Sequence, residues 1–423
     1  MKRTFLRLAA AGIVLSITAA ACGSAGSGGN SGPASPSGSA RAAAAASPSA
    51  AATANTMATS MTKSADLRVT LNLLLMDHVY LASAATNQAL LGNDAGFKAA
   101  AATLDKNTVG LGDAIGSVYG DAAKTSFLAL WRKHIGFFVD YTMGAAAKDQ
   151  AKMAKAKTDL DGYRADFDAF ITGANPNLPK GAVADLLVTH VSSLFAVIDA
   201  QAAKDPTFID KVKVSAAHSQ KIADPLAGAI AKQFSDKLPG DAASKAADLR
   251  VALNLLLDEH VQIVAFATGA ALSGNDAGFQ AAAKTLDTNT VGLGNAIGSV
   301  YGDAAKATFL ELWRKHIGFF VSYTQATAKA DKAGQDKAVA DLDGYRKDFD
   351  AFLTGANPNL PKGAVAELLI PHVTGIAGFV QAQNAKDPSS FDKAETAANH
   401  SQKIADPLAE AIAKQFPDKF AGK

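Results

Sequence analysis

Residues 65–238 of this chain align with residues 247–420 at a constant offset of 182 and without a gap. About two positions in three are identical, the mark of a tandem duplication. Whatever one copy folds into, the other must fold into as well. A unit of about 174 residues is far longer than a solenoid repeat and long enough to bury its own core. The expected organisation is two domains, 65–238 and 247–420, joined by a short Pro/Gly linker at 239–246.

Within each copy, apolar residues recur at three and four, and alanine is abundant. That pattern predicts helices, about six per copy, in an antiparallel all-α bundle with short loops. In the first copy, helix one is expected from about Asp66 to Leu91. Asp94 is expected to cap helix two, which runs through Phe97, Leu104 and Ile115 to Tyr119 and is bent or broken at Gly110, Gly112 and Gly116. Helix three starts after Gly120, helix four covers about 149–170, and helix five covers about 182–203. Helix six begins at Asp205-Pro206 and is expected to restart at Asp224-Pro225, with Asp224 as the cap.

All eight histidines obey the repeat. His78 pairs with His260, His134 with His316, His190 with His372, and His218 with His400. Within a copy they fall on four different helices. His134 shares a helical face with Phe127, Leu130, Trp131, Phe137, Phe138 and Tyr141, so it points where a core should be. His78 and His190 also lie in apolar stripes, while His218 has the more polar neighbours Lys211, Ser215 and Lys221. Around His190 and His78 the copies have drifted, yet the imidazoles stay.

A lone histidine on an apolar face is most often a core residue bonded to a carbonyl or water. Four on separate inward faces of one bundle raise the expectation that some converge on a metal ion. Neutral imidazole suits zinc, copper and iron. Non-covalent haem b is the other expectation, with Trp131, Phe138 and Tyr141 lining its pocket, and Trp313, Phe320 and Tyr323 in the second copy. The chain has no Glu-x-x-His, no His-Glu-x-x-His and no Cys-x-x-Cys-His, which removes the ferritin-like di-iron, zincin and covalent-haem signatures. Asp77 adjoins His78 but points about 100° away, a poor co-ligand. A formal net charge of +2 carries no bulk signal for nucleic acid.

The start of the chain is of another kind. Lys2, Arg3 and Arg7 precede a short apolar run, Leu8 to Ile17, then Ala19-Ala20-Ala21 and the single cysteine, Cys22. These residues resemble the export signal of bacterial lipoproteins. That resemblance implies a signal peptide at 1–21, lipidation of Cys22 (palmitate among its acyl groups), and a place at the outer face of the cytoplasmic membrane. Residues 22–64, rich in Gly, Ser, Ala and Pro, are expected to be a disordered tether. As a coil of about 40 residues it would reach on the order of 35 Å. The functional expectation is an extracytoplasmic lipid-anchored binding protein with one histidine-built site per repeat. The alternative is a structural or interaction lipoprotein of the cell envelope without one.

Overall fold

Why two helices of this chain are buried on every side is visible in their sequences. Leu71-Asn72-Leu73-Leu74-Leu75-Met76 has one polar residue and its counterpart from Leu253 has two, Asn254 and Asp258, so both are nearly continuous apolar runs, as in a helix enclosed by others. In a computed structural model, whose described residues are 58–422, these segments form the central helices α1 (Lys63–Leu90) and α7 (Lys245–Leu272). The first repeat continues through α2 (Asp94–Tyr119), α3 (Asp121–Ala147), α4 (Gln150–Ala174), α5 (Ala182–Ala202) and α6 (Phe208–Gln233). The second continues through α8 (Asp276–Tyr301), α9 (Asp303–Ala328), α10 (Lys332–Ala356), α11 (Ala364–Asn384), α12 (Ser390–His400), α13 (Gln402–Gln415) and the short α14 (Pro417–Phe420). The described residues are all-α, as the periodicity predicts: two tandem helical bundles with short connections.

Each repeat has an apolar cluster of its own. One holds Leu71, Phe127, Trp131 and Phe167, the other Leu253, Phe309, Trp313 and Phe349. A third cluster spans both, from Val69 and Val79 to Val251, Val261 and Phe379. It forms because α1 packs against α7, and the two repeats belong to one compact unit.

The arginines at the head of these helices tie the repeats reciprocally. Arg68 takes Asp224 of its own repeat at 2.8 Å and Asp248 of the other at 2.5 Å. Arg250 takes Asp406 at 2.8 Å and Asp66 at 2.5 Å. Asp224 is therefore an ion-pair partner rather than a cap, and α6 runs unbroken through Pro225. Only the second copy divides, at Ser401, upstream of its own Pro407. The helix α6 also starts at Phe208, after a turn in which Asp205 accepts from the Thr207 backbone N–H at 2.9 Å.

Helix α2 is continuous despite its glycines, because they let neighbours close in. A Cβ on Gly112 would sit 2.8 Å from Leu128 Cδ2, and one on Gly116 would sit 3.0 Å from Lys124 Cβ. The linker is held as tightly: Gly240, at φ +108°, lies against Thr62, and Ser64 N–H donates to the Pro239 carbonyl at 3.4 Å. The last residues of the expected tether are also anchored. Ser60 is fully buried and its N–H donates to Glu410 at 2.8 Å. The expected signal peptide, Cys22 and most of the tether lie outside the described residues.

Candidate metal centre

Three parallel positions on three helices meet in each repeat. His78 on α1, His134 on α3 and His190 on α5 each offer a ring nitrogen, all within 4.8 Å of one another. His260, His316 and His372 repeat this in the second copy. The Nε2 atoms of His78 and His134 are 3.4 Å apart. All six rings are at most 5% exposed.

The aromatic residues decide how the rings stand. Trp131 meets His78 edge-on at 5.0 Å and His134 at 4.6 Å, and Phe138 meets His134 at 6.1 Å. Trp313 and Phe320 do the same around His260 and His316. Sequence reasoning missed the tyrosine of helix four as a site residue. Tyr163 stacks on His134 at 5.0 Å, and Tyr345 on His316 at 4.9 Å, both with buried hydroxyls that find no partner. The signal was present, since Tyr163 lies in the Leu160/Phe167 stripe that gives α4 its only apolar face. Two expected pocket residues stand elsewhere: Tyr141 donates to Asp199 at 2.8 Å, and Tyr323 accepts from Gln381 at 3.0 Å.

The fourth histidine of each repeat does not join. His218 Nε2 donates to the Leu186 carbonyl at 3.0 Å, and His400 Nε2 to the Leu368 carbonyl at 3.0 Å. Those are the ordinary contacts of a core histidine.

Burial keeps the six clustered rings neutral. It pushes His78 down to about 3, with His190 adding to the effect, and His190 down to about 4, with His218 adding. His134 is pushed well below the usual range by burial, then by His78 and His190. His260, His372 and His316 behave alike. Neutral imidazoles at short range are metal ligands in their binding form. Nitrogens about 2.0–2.1 Å from one zinc ion would be roughly 3.3–3.6 Å apart. The His78–His134 separation already matches, and His190 must close by at most about 1.5 Å. A cavity of about 30 Å³ lies beside His78, walled by Phe138, Ile135 and Ala82. That is room for about one water molecule. Nδ1 of His78, His190, His260 and His372 is buried without a partner, while the backbone of Trp131 and Trp313 serves His134 and His316.

Asp77 fulfils the sequence expectation of a poor co-ligand. It faces the other repeat, where Gln262 donates to it at 3.0 Å. The identical loops after α4 and α10 have structural work to do. Asp168 accepts from the N–H groups of Gly181, Val183 and Ala184, and Asp350 accepts from their counterparts.

Three helices, Ala182–Ala202, Lys245–Leu272 and Ala364–Asn384, are long and apolar enough to cross a membrane. They carry His190, His260 and His372 and pack within the bundles. Compared with known proteins, the chain matches no family model, no curated protein and no solved structure.

Proposed function

We propose that this chain is an extracytoplasmic, lipid-anchored binding protein that holds one transition-metal ion in each helical bundle. His78, His134 and His190 are the ligands in the first repeat, and His260, His316 and His372 in the second. The observation that carries this reading is the recurrence of a buried, neutral three-imidazole cluster at equivalent places in both repeats. Three neutral nitrogens suit zinc, copper or iron. The cavity beside His78, about 30 Å³, is too small for haem b, which favours a bare ion. The anchor rests on the resemblance of residues 1–22 to a lipoprotein signal.

One observation favours the structural alternative. Metal-bound histidines almost always donate their second N–H to an acceptor, and Nδ1 of His78, His190, His260 and His372 has none. Elemental analysis of the purified full chain separates the two readings. About two ions per chain, lost together with thermal stability on chelation, is expected. Protein that arrives free of metal, with melting unmoved by zinc, copper or iron salts, would sink the proposal. For the anchor, a Cys22→Ser form should leave the membrane fraction. Its retention there would refute lipidation as the attachment.

A further inference from the structure

Where the two repeats dock, on α1 and α7 and the helices beside them, several equivalent positions differ in chemistry. Met76, Asp77, Tyr80 and Lys213 in the first repeat stand where Asp258, Glu259, Gln262 and Glu395 stand in the second. Phe208 and Phe266 replace what are Ser390 and Ala84 in the opposite copy.

Tyr80, Gln262, Phe208 and Phe266 line a cavity of about 700 Å³ between the repeats, and the carboxylates stand behind that wall. That is the size of a pocket for a small organic molecule. Its wall includes Leu81, Phe391 and an aromatic group in which Phe266 meets Phe208 at 5.9 Å and Tyr80 at 6.4 Å. Tyr80 and Gln262 also line it, and both are bonded to buried carboxylates behind them. The Tyr80 hydroxyl donates to Glu259 at 3.2 Å, and the Gln262 amide donates to Asp77 and Glu395, each at 3.0 Å.

We infer that this inter-repeat cavity binds a monovalent organic cation with an apolar body. Four buried carboxylates, Asp77, Asp258, Glu259 and Glu395, are offset by one cation, Lys213, which pairs with Glu259. Asp77 and Asp258 lie close enough to share a proton, and both feel the charge of Glu395. The nearest other charges cancel: Asp392 of α12 pairs with Lys106 of α2, and the exposed Lys386 and Asp387 of the lining bring one of each sign. A partly apolar space backed by an excess of carboxylates over cations concentrates cations. Aromatic faces add cation–π attraction. An anion of equal shape gains the burial and loses the electrostatics.

In the empty protein the cluster answers the same imbalance by taking up protons. Burial, then the charges of Asp258 and Glu395, raises Asp77 well above the usual carboxylate range, and burial raises Asp258 and Glu395 as well. A bound cation favours the ionised forms, so its affinity rises with pH.

Tetraphenylphosphonium and tetraphenylborate have one shape and opposite charge, and titration calorimetry of each into the full chain tests the inference. Chelator is present throughout, which makes the result independent of the histidine clusters. The phosphonium should bind at one site per chain, at least about ten-fold tighter than the borate, and more tightly at pH 8 than at pH 5.5. Phe266→Ala and Glu395→Gln should each weaken it, by roughly ten-fold for the first. Ala270→Trp, which fills the cavity from a half-buried site, should abolish it with helicity intact. Equal affinity for the two ions, no saturable phosphonium binding, or affinity unchanged in both Phe266→Ala and Ala270→Trp would overturn the inference.

Discussion

His78 Nε2 lies 3.4 Å from His134 Nε2, an approach that two protonated imidazoles would not tolerate and that two neutral ones hold with one N–H donating to the other nitrogen, or with an ion between them. The second repeat brings His260 and His316 to the same ring separation, 5.3 Å between centroids, as the first. The pair recurs because the helices that carry it are packed by the same aromatic residues in both copies.

If an ion occupies that place, it binds the folded chain and not the unfolded one. At 100 times the dissociation constant, mass action then adds about 2.7 kcal/mol per site. Melting temperature should rise with metal concentration. His134→Ala with His316→Ala should remove that dependence while the apo proteins melt within a few degrees of each other. Calorimetric scans across a metal series decide this.

Acid should destabilise the protein through the same six rings. Their pKa values are lowered in the fold, to about 3 for His78 and His260 and about 4 for His190 and His372. The unfolded chain protonates them near 6.5. As pH falls from about 6.5 toward 4, the unfolded state takes up protons that the native state refuses, so stability drops. Each ring contributes at most about 1.4 kcal/mol per pH unit over that window. Urea titrations at pH 7, 6 and 5 should show stability falling steadily, and a flat profile would contradict neutral burial.

The carboxylates between the repeats act with the opposite sign. Their values are raised in the fold, Asp258 to about 7, so the native state holds protons that the unfolded chain has released above about 4. Their contribution is present at low pH and fades as pH rises through 7. Asp258→Met, which installs the residue found at the equivalent Met76, should stabilise the protein at pH 8 more than at pH 5. Denaturation midpoints at the two pH values measure it.

Removing one arginine should show how far the repeats depend on each other. Arg250 has a side chain only 3% exposed and is the partner of Asp406 and Asp66. Arg250→Met leaves the half-buried Asp406 with only the Asn254 and Gln402 amides as donors, and should cost about 1–3 kcal/mol. Asp66→Asn, whose carboxylate is 53% exposed, should cost far less. Similar losses for the two variants would place the energy in the contact between repeats rather than in the buried pair.

The sequence by itself determined the helices, the duplication and the inward direction of the histidines, because a 3.6-residue period states which side chains share a face. What a helical period cannot state is which faces meet, at what height and with what rotation. Those depend on packing between residues far apart in the chain, and only the tertiary structure decided them. His190 and His218 both ride helices with an inward stripe. One meets His78 and His134 across α1 and α3, and the other sits where the Leu186 carbonyl takes its proton. Tyr163 reads as one more apolar contact until α4 lays it flat on His134. The same holds for the differences at 76, 77 and 80, which look like drift around a fixed imidazole. They lie on the opposite side of α1, where Asp77 and Tyr80 meet Gln262 and Glu259 of the other repeat, and a contact between two copies is invisible to the pattern within either one.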